Sequence, residues 1–303
     1  MMRTLLPLLR ILPLLLLAWM PAAYAASDCG APGQTQRVAI PDTGRAMLIH
    51  LPAGFDPARP APLLFAFHGS GEDGAAVLRK SHLEATSDRH GFILAAPDGG
   101  IPANGGFVWN IPGVPSVTGR MPDPSDANDV AFVERAIGWL AAQHCVDRTR
   151  VYATGISGGG RMSSLLGCIA ADRFAAIAPV VGLRAGIPLK SDPQRPDPAT
   201  CRPSRPVPVI AFAGDKDTTN PIEGGGAPYW QYSMHAAEAR WAALDGCASA
   251  LARRQVTAQV YEEGFAGCRA GSAVVARITI GGTHNWVADN EAMWAFLARY
   301  RLR

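Results

Sequence analysis

Residues 155–159, Gly155-Ile156-Ser157-Gly158-Gly159, spell G-x-S-x-G. A serine hydroxyl is a poor nucleophile until a neighbouring base takes its proton. The chemistry therefore needs a histidine within reach, and a carboxylate to fix that histidine's tautomer and stabilise its charged form. The run Arg150-Val151-Tyr152-Ala153-Thr154 before the motif reads as a strand, and a helical pattern begins at Arg161. In a strand–turn–helix the glycines permit a sharp turn and close backbone approach while the serine Oγ points outward. A glycine-rich helix start with an ordinary N-terminal serine would look the same in isolation, so the partners decide.

The chain has seven histidines: His50, His68, His82, His90, His144, His235 and His284. His284 lies in Gly281-Gly282-Thr283-His284-Asn285-Trp286, just past the apolar run 274–280. His50 falls inside a strand pattern; His82, His90 and His144 fall on or at the ends of helical ones. The run 207–213 feeds Gly214-Asp215-Lys216-Asp217-Thr218-Thr219-Asn220-Pro221, where Asp215 and Asp217 both qualify as the acid. Either could instead cap the turn, the commoner task of Asp beside Gly and Thr. The order Ser157, aspartate, His284 is that of the α/β-hydrolases. These three pieces at strand ends imply a Ser-His-Asp hydrolase.

"FHGSGEDG", residues 67–74, poses a choice. Gly69, Gly71 and Gly74 make G-x-G-x-x-G after an apolar run, which could cradle a dinucleotide pyrophosphate. The same loop could offer a backbone N–H to an oxyanion. The dinucleotide reading needs an acid about 20 residues on, at the end of the next strand, and none is suitably placed. The loop is therefore read as half an oxyanion hole, with Ser70, or next Gly71, as one donor and the N–H after the nucleophile, Gly158, as the other. No cofactor is expected.

These groups need a scaffold. Apolar runs at 46–51, 63–67, 92–96, 151–154, 176–181, 207–213 and 274–280 read as strands, several continuous enough for parallel strands covered on both faces. Val130, Val133, Ile137, Leu140 and Ala141 share a helical face after a candidate N-cap, Asn128. A second helix follows Ser157 with Met162, Leu165, Leu166 and Ile169 inward, and a third, 291–301, gathers Met293, Trp294, Phe296, Leu297 and Tyr300. Residues 98–126 and 185–206 read as long polar loops. The expected fold class is α/β: a single doubly wound domain with a mostly parallel sheet, over residues 26–303.

Residues 1–25 read as a signal peptide. Arg3 and Arg10 precede a short apolar stretch, and Ala23-Tyr24-Ala25 fits an A-x-A cleavage site. Removing them lowers the formal charge from +3 to +1, which gives no electrostatic case for nucleic acid or an anionic membrane. Six cysteines in an exported chain imply three disulfides. Their layout suggests Cys29–Cys145, Cys168–Cys201 and Cys247–Cys268. None has zinc-ligand spacing, so no metal is expected. Trp286, two residues from His284, and Trp109, in the first long loop, are expected to line the substrate site.

In order, "HGSGEDG", "GFILAAPDGG", "CVDRTRVYATGISGGGRMSSLLGC", "FAAIAPVVG", "RPVPVIAFAGDKDTTNPIEGGG" and "GGTHNW" resemble the secreted polyhydroxybutyrate depolymerase/feruloyl esterase-like family, which overlaps the acetylxylan esterases. The resemblance covers about residues 33–300. It implies the α/β-hydrolase fold, a serine carboxylesterase, and an acid at Asp217, which matches the family's H-G-x-x-D-x-x-V-P turn. Two positions depart from the pattern: Ala213 stands where many members have His, and Ser70 where many have Cys. The resemblance implies feruloyl or acetyl esters of plant cell walls as substrates, with hydroxybutyrate oligomers as the alternative. A different class remains open: a non-catalytic binding protein on the same fold. The oligomeric state is not legible in the sequence.

Overall fold

The computed structural model describes residues 30–143 and 145–303. The expected signal peptide, Cys29 and His144 lie outside the described residues.

Among the described residues, fourteen strands and six α-helices follow one another. Strands β1 (Thr35–Ile40), β2 (Arg45–His50) and β3 (Ala61–Phe67) lead through helices α1 (Gly74–Ser81) and α2 (Leu83–His90) to β4 (Ile93–Pro97). A hairpin of β5 (Ile101–Ala103) and β6 (Gly106–Val108) precedes α3 (Asp129–Ala142), β7 (Val146–Ile156), α4 (Gly158–Ile169) and β8 (Ala176–Val180). A second hairpin, β9 (Pro188–Leu189) and β10 (Asp192–Pro196), is followed by β11 (Val209–Gly214) and α5 (Met234–Asp245). The chain closes with β12 (Ser249–Thr257), β13 (Val260–Ala266), β14 (Val274–Thr279) and α6 (Asn290–Leu297).

Ten strands form one sheet in the order β1-β2-β4-β3-β7-β8-β11-β14-β13-β12. The central six are parallel, and antiparallel strands flank them at both edges. Side chains alternate faces along a strand, so β3 sends Leu63, Phe65 and Phe67 into one apolar layer and Leu64 and Ala66 into the other. The first layer packs under α3, α4 and α5, through Phe132, Met162 and Trp241 among others. The second packs under α1, α2 and α6, through Leu78, Leu83 and Met293. Both faces are covered, which is why the central strands read as continuous apolar runs.

Asn128 caps α3 as its sequence position suggests, its side chain accepting from Ala131 N–H at 3.0 Å. Two helical readings need correction. Ile169 ends α4 at 54% exposure instead of pointing inward. The last helix stops at Leu297, so Tyr300 packs from beyond it, and its carbonyl accepts the Tyr152 hydroxyl at 2.7 Å. The two long loops each contain a short hairpin.

Candidate active site

Strands β7, β11 and β14 run parallel within the sheet, so the segments after them, carrying Ser157, Asp217 and His284, emerge at the same edge. Ser157 sits between β7 and α4 at φ 56°, ψ −113°. A non-glycine residue there is strained, and such strain persists only where the surroundings hold it. The neighbouring glycines explain how. A Cβ at Gly155 would lie 2.6 Å from the Phe67 carbonyl oxygen, and one at Gly159 only 2.0 Å from it. The turn is thus jammed against the end of β3, and Ser157 N–H donates to Val180 O at 2.9 Å.

Of the two aspartates, Asp217 meets the histidine: His284 Nδ1 lies 2.7 Å from Asp217 Oδ2. The Asp217 side chain is 1% exposed and that of His284 24%. Thr219 and Asn220 N–H groups donate to Asp217 Oδ1 at 2.8 and 2.9 Å. Burial pushes the Asp217 carboxyl up, but the hydrogen bonds from His284 and these N–H groups outweigh it and hold it below the usual carboxylate range. With Nδ1–H donating to this carboxylate, Nε2 is the ring nitrogen left to accept a proton. Asp215 is exposed and does the capping job, accepting from Gly281 N–H at 2.7 Å.

The loop after β3 packs against the start of α4. A Cβ on Gly158 would fall 2.4 Å from Ser70 Oγ and 3.1 Å from Ser70 N, so only glycine lets the two backbones come this close. His68 is fully buried beneath them. Its Nδ1 bonds Gly69 O at 2.7 Å and its Nε2 accepts from Gly99 N–H at 2.9 Å, while burial lowers its pKa. Glu72 Oε2 accepts from Gly69 N–H at 3.3 Å, and Asp73 caps α1. The loop's glycine-rich fingerprint is therefore lined with its own carboxylates, an environment that repels a phosphate.

Of the two tryptophans, Trp109 borders a narrow cleft at Ser70 and Gly158, whereas Trp286 lines neither that cleft nor the cavity it joins. Trp109 is 3% exposed; its Nε1–H donates to His68 O at 2.8 Å and its ring packs on Phe67 and His68. It buttresses the loop after β3 and borders the cleft beside that loop. Trp286 is half-buried against the α1–α6 layer, with Nε1–H donating to Asn290 at 2.9 Å. Open space lies beside Ser70 and Gly158. The narrow cleft there, bordered by both residues and by Arg161, continues into a cavity of about 340 Å³ that shares Ile111, Val114 and Arg161 with it. That volume lies within the range of small-molecule sites. Leu165, Ile187 and Tyr229 make its walls largely apolar.

Two arginines line this cavity, and neither was singled out in the sequence. Arg161 is 5% and Arg184 7% exposed. Burial pushes each guanidinium down to about 10, which leaves both charged at neutral pH. Arg161 Nη2 donates to Ser70 Oγ at 3.3 Å and its guanidinium stacks on Tyr229. Arg184 donates to Leu183 O and Tyr232 O at 2.7 Å each and stacks on Trp230. The sequence did carry one signal: Arg161 falls in the first turn of α4, where the helix dipole disfavours a cation.

No family model matches the sequence. Feruloyl esterase B of Piromyces equi is 29% identical over 266 residues, spanning 85% of this chain and 46% of that protein. Poly(3-hydroxyalkanoate) depolymerase C of Paucimonas lemoignei is 31% identical over 138 residues, 45% of this chain and 31% of that one. The chain is thus similar to feruloyl esterases and to a polyhydroxyalkanoate depolymerase. The acetyl xylan esterase structure from Aspergillus awamori superposes with a TM-score of 0.62 at 14% identity, covering 88% of this chain and 99% of that one, which establishes the fold. The chain spans about half the length of the first curated relatives it matches.

Two of the expected disulfides are present among the described residues, Cys168–Cys201 and Cys247–Cys268. The expected Cys29–Cys145 pair involves a residue outside the described part. Among the described residues three other histidines have carboxylate partners: His50 with Asp88, His90 with Glu291 and His235 with Glu263. Among the described residues one trio, His235, Glu238 and Glu263, brings metal-type ligand atoms within 4.8 Å of one another. His235 and Glu263 already pair at 2.7 Å, and Arg253 lies 3.3 Å from Glu263. No helix among the described residues is long and apolar enough to cross a membrane.

Proposed function

We propose that the protein is a serine carboxylesterase working through an acyl-enzyme. Ser157 Oγ attacks the ester carbonyl while His284 Nε2 takes its proton, and Asp217 holds Nδ1–H and stabilises the imidazolium. The N–H groups of Gly158 and Ser70 receive the oxyanion. His284 then protonates the leaving alcohol, and water repeats the cycle on the acyl-enzyme. Every group required belongs to the chain itself.

The observation that carries this reading is the 2.7 Å contact between His284 Nδ1 and an Asp217 carboxylate that is itself 1% exposed. A surface ion pair would not need such burial. The strained backbone of Ser157 and the Gly158–Ser70 approach support the same reading. Feruloyl and acetyl esters are the substrates favoured by the relatives' names, with hydroxyalkanoate oligomers as the second reading, favoured by the depolymerase match and by the aliphatic walls of the cavity. Export belongs to the proposal, and the two disulfides support it, since such bonds persist in oxidising compartments.

Turnover of p-nitrophenyl acetate by the purified protein tests the reaction class. Its absence would leave a binding protein on a hydrolase fold. Rates on methyl ferulate, acetylated xylan and hydroxybutyrate oligomers, measured side by side, separate the substrate readings.

A further inference from the structure

The cavity beside the oxyanion loop holds two buried guanidiniums and no carboxylate: its lining includes Arg161 and Arg184 but no Asp or Glu. Neither arginine takes part in any ion pair among the described residues. Arg161 Nε and Arg184 Nη2 are also without a hydrogen-bond partner. A buried charge is ordinarily paired, because removing it from water is costly and an unmet N–H adds to that cost. Two like charges near each other compound the problem, since each disfavours the other. Stacking on Tyr229 and Trp230 offsets only a part. A purely architectural role would be served better by neutral side chains in this apolar setting.

We propose that this cavity is a carboxylate-binding subsite, so that the preferred substrate is an ester bearing a free carboxylate on an otherwise apolar segment. The inference rests on the esterase reading, since the subsite gains its purpose from Ser157. Arg161 is the group that meets the anion: it stands where the cleft at Ser70 and Gly158 joins the cavity. Arg184 lies behind it and adds a second positive charge. The apolar walls take the aliphatic or aromatic segment between ester and carboxylate. The carboxylate could sit on the alcohol half, as in a hydroxyacid oligomer with a free acid end, or on the acyl half, as in the half-ester of a dicarboxylic acid.

The test compares each acid with its own neutral ester on the wild-type protein by pH-stat titration. 3-Hydroxybutyrate dimer against its methyl ester probes the alcohol half; monomethyl glutarate against dimethyl glutarate probes the acyl half. At least one acid should exceed its neutral partner in kcat/KM by about tenfold or more, as a charge-assisted contact provides. That ratio should collapse in Arg161→Gln, fall in Arg184→Gln and be partly kept in Arg161→Lys. The ratio is read within each variant, so a general loss of activity does not obscure it. Acids cleaved no faster than their neutral partners, or a ratio that survives Arg161→Gln, would overturn the subsite. Calorimetric binding of glutarate to the Ser157→Ala protein provides a readout free of turnover. Glutarate bound through Arg161 without any ester cleavage by the wild type would sink the esterase reading and leave the anion site standing. Neutral esters cleaved with no glutarate bound and no acid preference would do the reverse.

Discussion

The Asn220 side-chain amide donates to the Val181 carbonyl at 2.6 Å, while the Asn220 backbone N–H donates to Asp217 Oδ1 at 2.9 Å. Val181 follows β8, the strand next to the one that delivers Ser157, and its own φ is +42°. A β-branched residue in that region is strained. One buried asparagine thus ties the turn carrying Asp217 to the backbone beside Ser157. Asn220→Ala should lower kcat by about 10-fold or more with a smaller change in KM, because misplacing catalytic groups by even an ångström is expensive. It should also lower Tm, since a buried carbonyl loses its donor at about 1–3 kcal/mol. Steady-state kinetics with a thermal melt decides it, and an unchanged kcat would remove Asn220 from the positioning role.

Ser157→Ala and His284→Ala should each reduce turnover by on the order of 10³-fold or more while leaving the circular dichroism spectrum intact, because such residues act as a unit. Asp217→Asn should be severely impaired. Asp215→Asn should be close to wild type, since Asp215 only caps Gly281 N–H. The reverse ranking would move the acid.

Gly158→Ala places a methyl group 2.4 Å from Ser70 Oγ and 3.1 Å from Ser70 N. The oxyanion loop must shift away, opening the gap between the two donors. Turnover should drop by about 10²-fold, comparable to the loss of one oxyanion donor. A crystal structure of the variant with Ser70 unmoved and activity retained would count against this assignment.

Asp245 ends α5 fully buried, accepting from Val207 N–H at 2.9 Å and from the Ser272 hydroxyl. Burial pushes its carboxyl up to about 6 despite these hydrogen bonds. The folded value is raised above the unfolded one, so its favourable contribution is fully present below about pH 4 and is lost as pH rises through about 6. Asp245→Asn should therefore gain stability relative to wild type between pH 4 and 7.5, by up to about 3 kcal/mol from the size of the shift. Urea unfolding at the two pH values measures it. A constant difference between wild type and variant would show that Asp245 titrates normally.

Much of the sheet was legible in the sequence for a simple reason. The central strands are covered on both faces, so runs such as Leu63-Leu64-Phe65-Ala66-Phe67 are apolar at every position and need no partner to be recognised. The edge strands were not legible. β12 has the burial of a surface segment, with Arg253, Arg254 and Gln255 exposed, and its pairing with β13 is a property of the backbone, not of side-chain pattern. The hairpin strands β5–β6 and β9–β10 are too short to leave a periodic signal.

The site divides in the same way. Ser157 and His284 announce themselves because glycines at fixed offsets are needed wherever a turn is sharp, and a Cβ on Gly155, Gly159 or Gly282 would meet backbone at 2.6, 2.0 and 3.0 Å respectively. Residue types and chain order alone left Asp215 and Asp217 equivalent. The family resemblance pointed to Asp217, and in the structure it is Asp217, in the turn after β11, that meets His284 after the parallel neighbour β14. The burial of Trp109, and the gathering of Arg161 and Arg184 around one cavity from segments more than 20 residues apart, exist only in three dimensions. Local steric needs are written residue by residue, whereas burial and charge proximity depend on what the rest of the chain brings alongside.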